Sequence, residues 1–124
     1  MIIGIGIDII EIERIGHSID EYGDIFLSKL FTENEIRYCK SKAYPTQHYA
    51  ARFAAKEAFA KAISTGWTGD FEWKNVEVKN DAVGKPSLEL YGKTAEVLKE
   101  CSVFLSMSHS DTSVIAFVVI EKKE

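Results

Sequence analysis

The run R-F-A-A-K-E-A-F-A-K-A-I at 52–63 constrains the fold more than any other part of the chain. It lies in a segment, 46–64, that reads as one long helix, with Gly66 suited to its C-terminal cap. On a wheel of about 100° per residue, Ala54, Ala55, Ala58, Ala62, Phe59 and Ile63 fall on one side. Side chains this small let a helix lie close against a sheet. The other half-turn gathers Arg52, Lys56, Glu57 and Lys61, with Phe53 and Ala60. Glu57–Lys61 is a favourable i,i+4 pair and Arg52–Lys56 an unfavourable one, each worth about 0.2–0.5 kcal/mol. An ordinary solvated helix carries such pairs too, so the charged side alone leaves surface and site both open.

The N-terminus, MIIGIGIDII, alternates in the manner of a strand. Residues 2–8 are expected to place Ile3, Ile5 and Ile7 in the core. The opposite face is bare backbone at Gly4 and Gly6, ending in the carboxylate of Asp8. Glycine inside a strand marks a close approach by a ligand or by another backbone. Helices are expected over 11–18 and 20–26. Thr32 and Glu35 form a capping box that starts a third helix, running to Ser41. Strands follow at 76–79 and 87–90, joined by N-D-A-V-G-K-P; then a helix at 93–100 and strands at 103–107 and 113–120. Pro45 and Pro86 are expected in loops. The tight turns favour antiparallel neighbours, so the class is α+β: one domain over 1–124, an antiparallel sheet packed against a long central helix.

The 124 residues suffice for a real core without staples. Cys39 and Cys101 match no metal spacing and read as buried thiols of a reducing compartment. No stretch approaches the roughly 20 apolar residues of a membrane span, and the apolar N-terminus lacks the basic lead of a signal peptide. A cytoplasmic location is expected, with no membrane contact. The net charge of −4 argues against nucleic acid as a partner. Its distribution says more. Residues 1–34 hold seven acids and two bases, whereas residues 35–62 hold two acids and six bases. A basic patch in an acidic chain suits a small anion or an acidic partner surface, though a solvated helix face explains it equally.

Asp8 alone is weak evidence, since a strand-end aspartate also caps helices. Paired with Glu57 it gains meaning. Magnesium takes one or two carboxylates and keeps waters and substrate phosphates for its other positions. Lysines beside Glu57 would offset phosphate charge. His109, in S-M-S-H-S at 106–110, is by default a hydrogen-bonded turn residue, and His17 and His48 have no motif around them. Gly84-Lys85-Pro86 is by default a hairpin connection. GIGID is no dinucleotide fingerprint, because it lacks the third glycine and lies within the strand.

G-I-G-I-D-I-I-E-I-E-R-I at 4–15, the 52–63 run and S-M-S-H-S, in that order, resemble the holo-[acyl-carrier-protein] synthase group, the short single-domain phosphopantetheinyl transferases. The resemblance implies that fold. It implies transfer of phosphopantetheine from coenzyme A to a serine of apo-acyl-carrier protein, releasing adenosine 3′,5′-bisphosphate, in support of fatty acid biosynthesis. It implies magnesium on Asp8 and Glu57, both catalytic along with Lys61. Lys61 would contact the phosphates and protonate the departing one. Arg52 and Lys56 would hold the nucleotide end, with His109 near it. It also implies a homotrimer with sites between subunits, where Gly84, Lys85, Pro86 and His109 approach a nucleotide held mainly by the neighbour. The group that activates the carrier serine stays open between Glu57 acting through water and a water on the metal. Carrier docking would use Arg14, but Glu13, Asp20, Glu21 and Asp24 make that segment acidic, so either Arg37, Lys40 and Lys42 assist or the carrier is less acidic than usual. Two other readings of the residues are a non-catalytic coenzyme binder and a structural domain with its charged helix face in solvent.

Overall fold

The computed structural model describes residues 1–63 and 71–124. The chain opens with β1 (Ile2–Glu11), followed by α1 (Ile12–Tyr22), α2 (Asp24–Leu30), α3 (Glu33–Lys40) and the long α4 (Pro45–Ile63). After a 3₁₀ turn at Trp73–Asn75 come β2 (Val76–Asn80), β3 (Pro86–Leu90), α5 (Gly92–Val97), β4 (Cys101–His109) and β5 (Ser113–Lys122). The expected α+β class and antiparallel pairing both stand. Gly66 and the end of the expected helix at Ser64 lie outside the described residues.

The capping box forms as the sequence predicts. Thr32 Oγ1 accepts the Glu35 N–H at 3.2 Å, and Glu35 Oε1 accepts the Thr32 N–H at 2.9 Å. Both prolines sit in elements and not in loops. Pro45 is the first residue of α4, where a missing N–H costs nothing. Pro86 is the first residue of β3. β1 and the last hairpin run longer than expected, because strand pairing carries the ladder on to Ile2↔Glu121, Glu11↔Ser113 and His109↔Val114.

The strands form two antiparallel sheets: β1-β5-β4, and the β2-β3 hairpin. α4 lies on the first, packed against β1 and β5. Ile10, Val114, Ala116, Val118 and Ile120 of the sheet share one core with Ala54, Ala55, Ala58, Phe59 and Ala62 of α4. Cys39 is buried in that core, and burial pushes its thiol up to about 12. Cys101, expected to be buried, is only partly so.

The isoleucine expectation for β1 is reversed. Ile3, Ile5, Ile7 and Ile9 are 44%, 57%, 52% and 67% exposed. The face turned to the core is the glycine face, because α4 comes too close for any side chain. A Cβ on Gly4 would lie 2.0 Å from the Ala62 carbonyl oxygen, and one on Gly6 would lie 1.8 Å from that of Ala58. The bare backbone of β1 and the small side of α4 thus fit each other. Of the two uses of strand glycine, the structure takes the approach of another backbone. The isoleucines then form an outward apolar face with Phe104 and Phe117, which occupy the same rows of the sheet.

Candidate active site

Asp8 and α4 meet because Asp8 continues the glycine face of β1. It stands two residues past Gly6, on the side covered by the helix. Its side chain keeps 15% exposure. Lys61 reaches across from α4, its Nζ donating to Asp8 Oδ1 and to the Ile7 carbonyl, both at 3.0 Å. Glu57, one turn before Lys61, is half-buried. Burial raises its carboxyl above the ordinary 4.5, the Asp8 charge raises it further, and Lys61 opposes both. Two carboxylates that repel each other in a partly desolvated place form a poor arrangement by themselves. A hard divalent cation turns that repulsion into attraction. Among the described residues no group of three or more His, Cys, Asp or Glu side chains comes together. The donor set therefore fits an ion that keeps most positions for water or phosphate oxygens, as magnesium does.

A second group lies at the other end of α4's first half. A cleft of about 240 Å³ is lined by Arg52, His48 and Gln47 of α4, Tyr38 of α3, Gly84 of the β2–β3 loop, Pro86 at the start of β3, and His109 of β4, among others. Arg52 is 2% exposed. Its Nη2 donates to Asn80 Oδ1 at 2.7 Å, its guanidinium stacks 4.1 Å from the Tyr38 ring centroid, and its Nε has no partner among the described residues. A buried cation with a donor to spare favours an anion. Gln47 Nε2 lies 3.1 Å from His109 Nε2, and His109 Nδ1 lies 3.3 Å from the Ser110 carbonyl oxygen. His48 is held below 6.5 by burial and then by the charges of Arg52 and Lys42, so it is neutral at neutral pH. The loop itself is ordered by Asp81, whose Oδ1 accepts the N–H of Val83 at 3.0 Å and of Lys85 at 2.8 Å.

The sequence-predicted residues thus fall into two sets. Asp8, Glu57 and Lys61 come together; Arg52, Gly84, Pro86 and His109 come together. Lys85 is exposed beside the cleft but is not among its lining. Arg14 is exposed on α1, in a surface depression with Glu11, Glu13, His17 and Ser18. His17 only pairs with Glu21 on the surface at 3.3 Å. Lys56 corrects the expectation of a nucleotide contact. It is fully buried, with Nζ held by the Leu30 carbonyl, Glu35 Oε1 and the Trp73 carbonyl at 2.8, 2.7 and 2.9 Å. α4 is covered on more sides than a single sheet contact allows, so its charged half splits. Residues 57 and 61 reach the β1 edge, while 52 and 56 enter a polar layer under α3 and β2. Gln47, His48, Tyr38 and Asn80 were missed as cleft residues. The i,i+4 spacing of His48 and Arg52 was their only sequence signal.

Residues 4–118 match the family profile of the 4′-phosphopantetheinyl transferase superfamily. The chain is 44% identical over 125 residues to the holo-[acyl-carrier-protein] synthase of Geobacter sp. (strain M21), covering 98% of this chain and all of that one. Its fold is similar to the crystal structure of holo-[acyl-carrier-protein] synthase from Neisseria meningitidis, with a TM-score of 0.89 and 40% identity over 98% of this chain and 100% of that one. It is also similar to the synthase of Bacillus anthracis str. Ames in complex with CoA (3′,5′-ADP), with a TM-score of 0.82 and 41% identity over 99% of each chain.

Proposed function

Because the chain belongs to the 4′-phosphopantetheinyl transferase superfamily, we propose that it is a magnesium-dependent holo-[acyl-carrier-protein] synthase. It transfers 4′-phosphopantetheine from coenzyme A to a serine of apo-acyl-carrier protein. The observation that carries this reading is the convergence of Asp8, Glu57 and Lys61 where β1 meets α4, on the same helix that carries the buried Arg52, whose Nε has no partner among the described residues.

In the reaction the serine oxygen bonds to the β-phosphorus of coenzyme A, and the bond from that phosphorus to the bridging oxygen breaks. The electron pair leaves with adenosine 3′,5′-bisphosphate, and the serine proton passes to a base. Asp8 and Glu57 hold the magnesium, which when bound supplies charge neutralisation at the phosphate oxygens. Lys61, poised at Asp8, turns its ammonium to the pyrophosphate and supplies the proton that the leaving oxygen takes up. Arg52 offers its spare donor to the nucleotide's phosphate, with Gly84, Pro86 and His109 lining the remainder of its seat and Lys85 at the rim. The serine proton would leave through water, either to Glu57 or to a water on the metal. Since phosphoryl transfer is largely positioning and charge stabilisation, a strong base adds little.

The enzyme acts as a homotrimer. The outward face of Ile3, Ile5, Ile7 and Ile9 with Phe104 and Phe117 supports this, being a contiguous apolar surface of the kind that seats a subunit. The carrier docks through Arg14, with Arg37, Lys40 and Lys42 adding the positive charge that α1 lacks. Among the described residues no helix is long and apolar enough to cross a membrane, in keeping with action in the cytoplasm. The deciding experiment incubates the protein with coenzyme A, magnesium and apo-carrier protein and follows the carrier by mass spectrometry. A gain of one phosphopantetheine, abolished by chelator and by Glu57→Ala, is expected. No gain with any carrier would sink the proposal.

A further inference from the structure

Lys56 precedes Glu57 in sequence yet takes no part in the meeting with Asp8. Its three ammonium protons are spent on the Leu30 carbonyl, Glu35 Oε1 and the Trp73 carbonyl. Glu35, 1% exposed, is equally committed: Oε1 also accepts the Thr32 N–H, and Oε2 accepts the Val78 N–H at 2.9 Å. The Thr32 hydroxyl passes the network on to Glu77 Oε2, and Glu77 Oε1 accepts the Tyr91 hydroxyl at 2.9 Å. One connected set of polar bonds therefore ties one side of α4 to the end of α2, the start of α3, the 3₁₀ turn and the β2–β3 hairpin.

Stability alone does not call for this arrangement. A buried ion pair gains little over apolar residues of similar volume. It does confer direction, because each bond has one geometry. The opposing side of α4 is pressed on Gly4 and Gly6 of β1, with no slack for translation toward the strand. What that backbone contact leaves free is rotation of the helix about its own axis. Lys56 and Glu57 are separated by about 100° on the helix, so a turn that shifts one swings the other. At a side-chain radius of about 5–6 Å, a 10° turn moves a carboxylate by about 1 Å. Metal ligation is sensitive on that scale.

We propose that Lys56, locked by Glu35, is a positioning residue that sets the rotation of α4 and thereby presents Glu57 to Asp8. The inference rests on the reading of Asp8 and Glu57 as the cation ligands. Lys56 touches neither substrate nor metal; it acts through the helix.

The test titrates Mn²⁺ into the full-length protein and reads the free ion by electron paramagnetic resonance, with circular dichroism and a denaturant melt as checks of fold. The wild type binds Mn²⁺, and Asp8→Ala removes that binding. Lys56→Met is expected to fold cooperatively yet bind Mn²⁺ about 10-fold more weakly, the loss typical when support around a metal ligand is removed. Its kcat should fall at low metal and recover as metal is raised, with the KM for carrier unchanged. A merely structural lysine would lower the melt and leave the affinity of the folded protein alone. Glu35→Gln, nearly isosteric, gives the same test should Lys56→Met fail to fold, with a smaller loss in the same direction. A folded Lys56→Met or Glu35→Gln protein with wild-type Mn²⁺ affinity overturns the positioning role. A folded Asp8→Ala protein that binds Mn²⁺ as the wild type does overturns the ligand reading instead, and this inference with it.

Discussion

Replacing Gly6 with alanine tests the link between backbone packing and the candidate site most directly. The added Cβ would stand 1.8 Å from the Ala58 carbonyl oxygen, 2.8 Å from the Ala62 nitrogen and 2.9 Å from the Ala58 carbonyl carbon. Ordinary contact begins at 3.4 Å, so β1 and α4 must separate by roughly 1.5 Å along that line. All three atoms are backbone, so no side chain can swing aside. Overpacking of this kind costs about 1–3 kcal/mol. The larger effect falls on chemistry. Ala58 follows Glu57, and Asp8 lies two residues from Gly6, so the displacement opens the carboxylate pair itself. A misplacement of about 1 Å costs about 10²-fold in rate. Gly6→Ala should therefore lose at least that in transfer kcat/KM while losing only part of its stability. The assays are initial rates of carrier modification and urea unfolding, run beside Gly16→Ala. There the new Cβ meets only the Thr46 Cγ2, at 3.3 Å, and lies inside α1, where alanine is the better helix former. The control should stay within about 1 kcal/mol of wild type with full activity. A folded Gly6→Ala enzyme with wild-type kcat/KM would refute the argument that the glycine face sets the carboxylate geometry.

Other perturbations separate the remaining parts. Lys61→Met should lower kcat by about 10²–10³-fold, since it removes the cation at Asp8 and the proton for the leaving group; steady-state kinetics at saturating coenzyme checks it. Phe59→Ala, at a fully buried position, should cost about 3–5 kcal/mol in urea unfolding. Ile5→Asp, on the outward face of β1, should dissociate the assembly in sedimentation velocity without unfolding the subunit. Glu77 supplies a pH signature. Burial pushes its carboxyl up, but the hydrogen bonds from Thr32, Tyr91 and Asn34 outweigh burial and leave it below 4.5. Its stabilising contribution is therefore present above 4.5 and is lost as pH falls through the lowered folded value. Glu77→Gln should flatten that part of the acid unfolding curve, measured by circular dichroism.

Local signals in the sequence carried far. The Thr32–Glu35 capping box, the period of α4 and the alternation of β1 are decided within a few residues, and each formed where expected. Asp8, Glu57 and Lys61 were legible for the same reason. A strand-end carboxylate and an i,i+4 pair are short-range patterns, and the motif order added the family. What covers each face is not a local property. Alternation shows that β1 has an isoleucine side and a glycine side, but hydrophobicity alone sends the isoleucines inward. Only the arrival of α4, chain-distant by some fifty residues, makes the glycine side the core. The helix wheel likewise shows four charges on one half of α4 but not what stands opposite them. Lys56 and Arg52 are buried because Glu35, Asn80 and two backbone carbonyls, all from other elements, are there to receive them. Partners for a buried charge come from tertiary contact, so which charges of that side meet Asp8 and which are buried among other elements was decided there, not in the sequence.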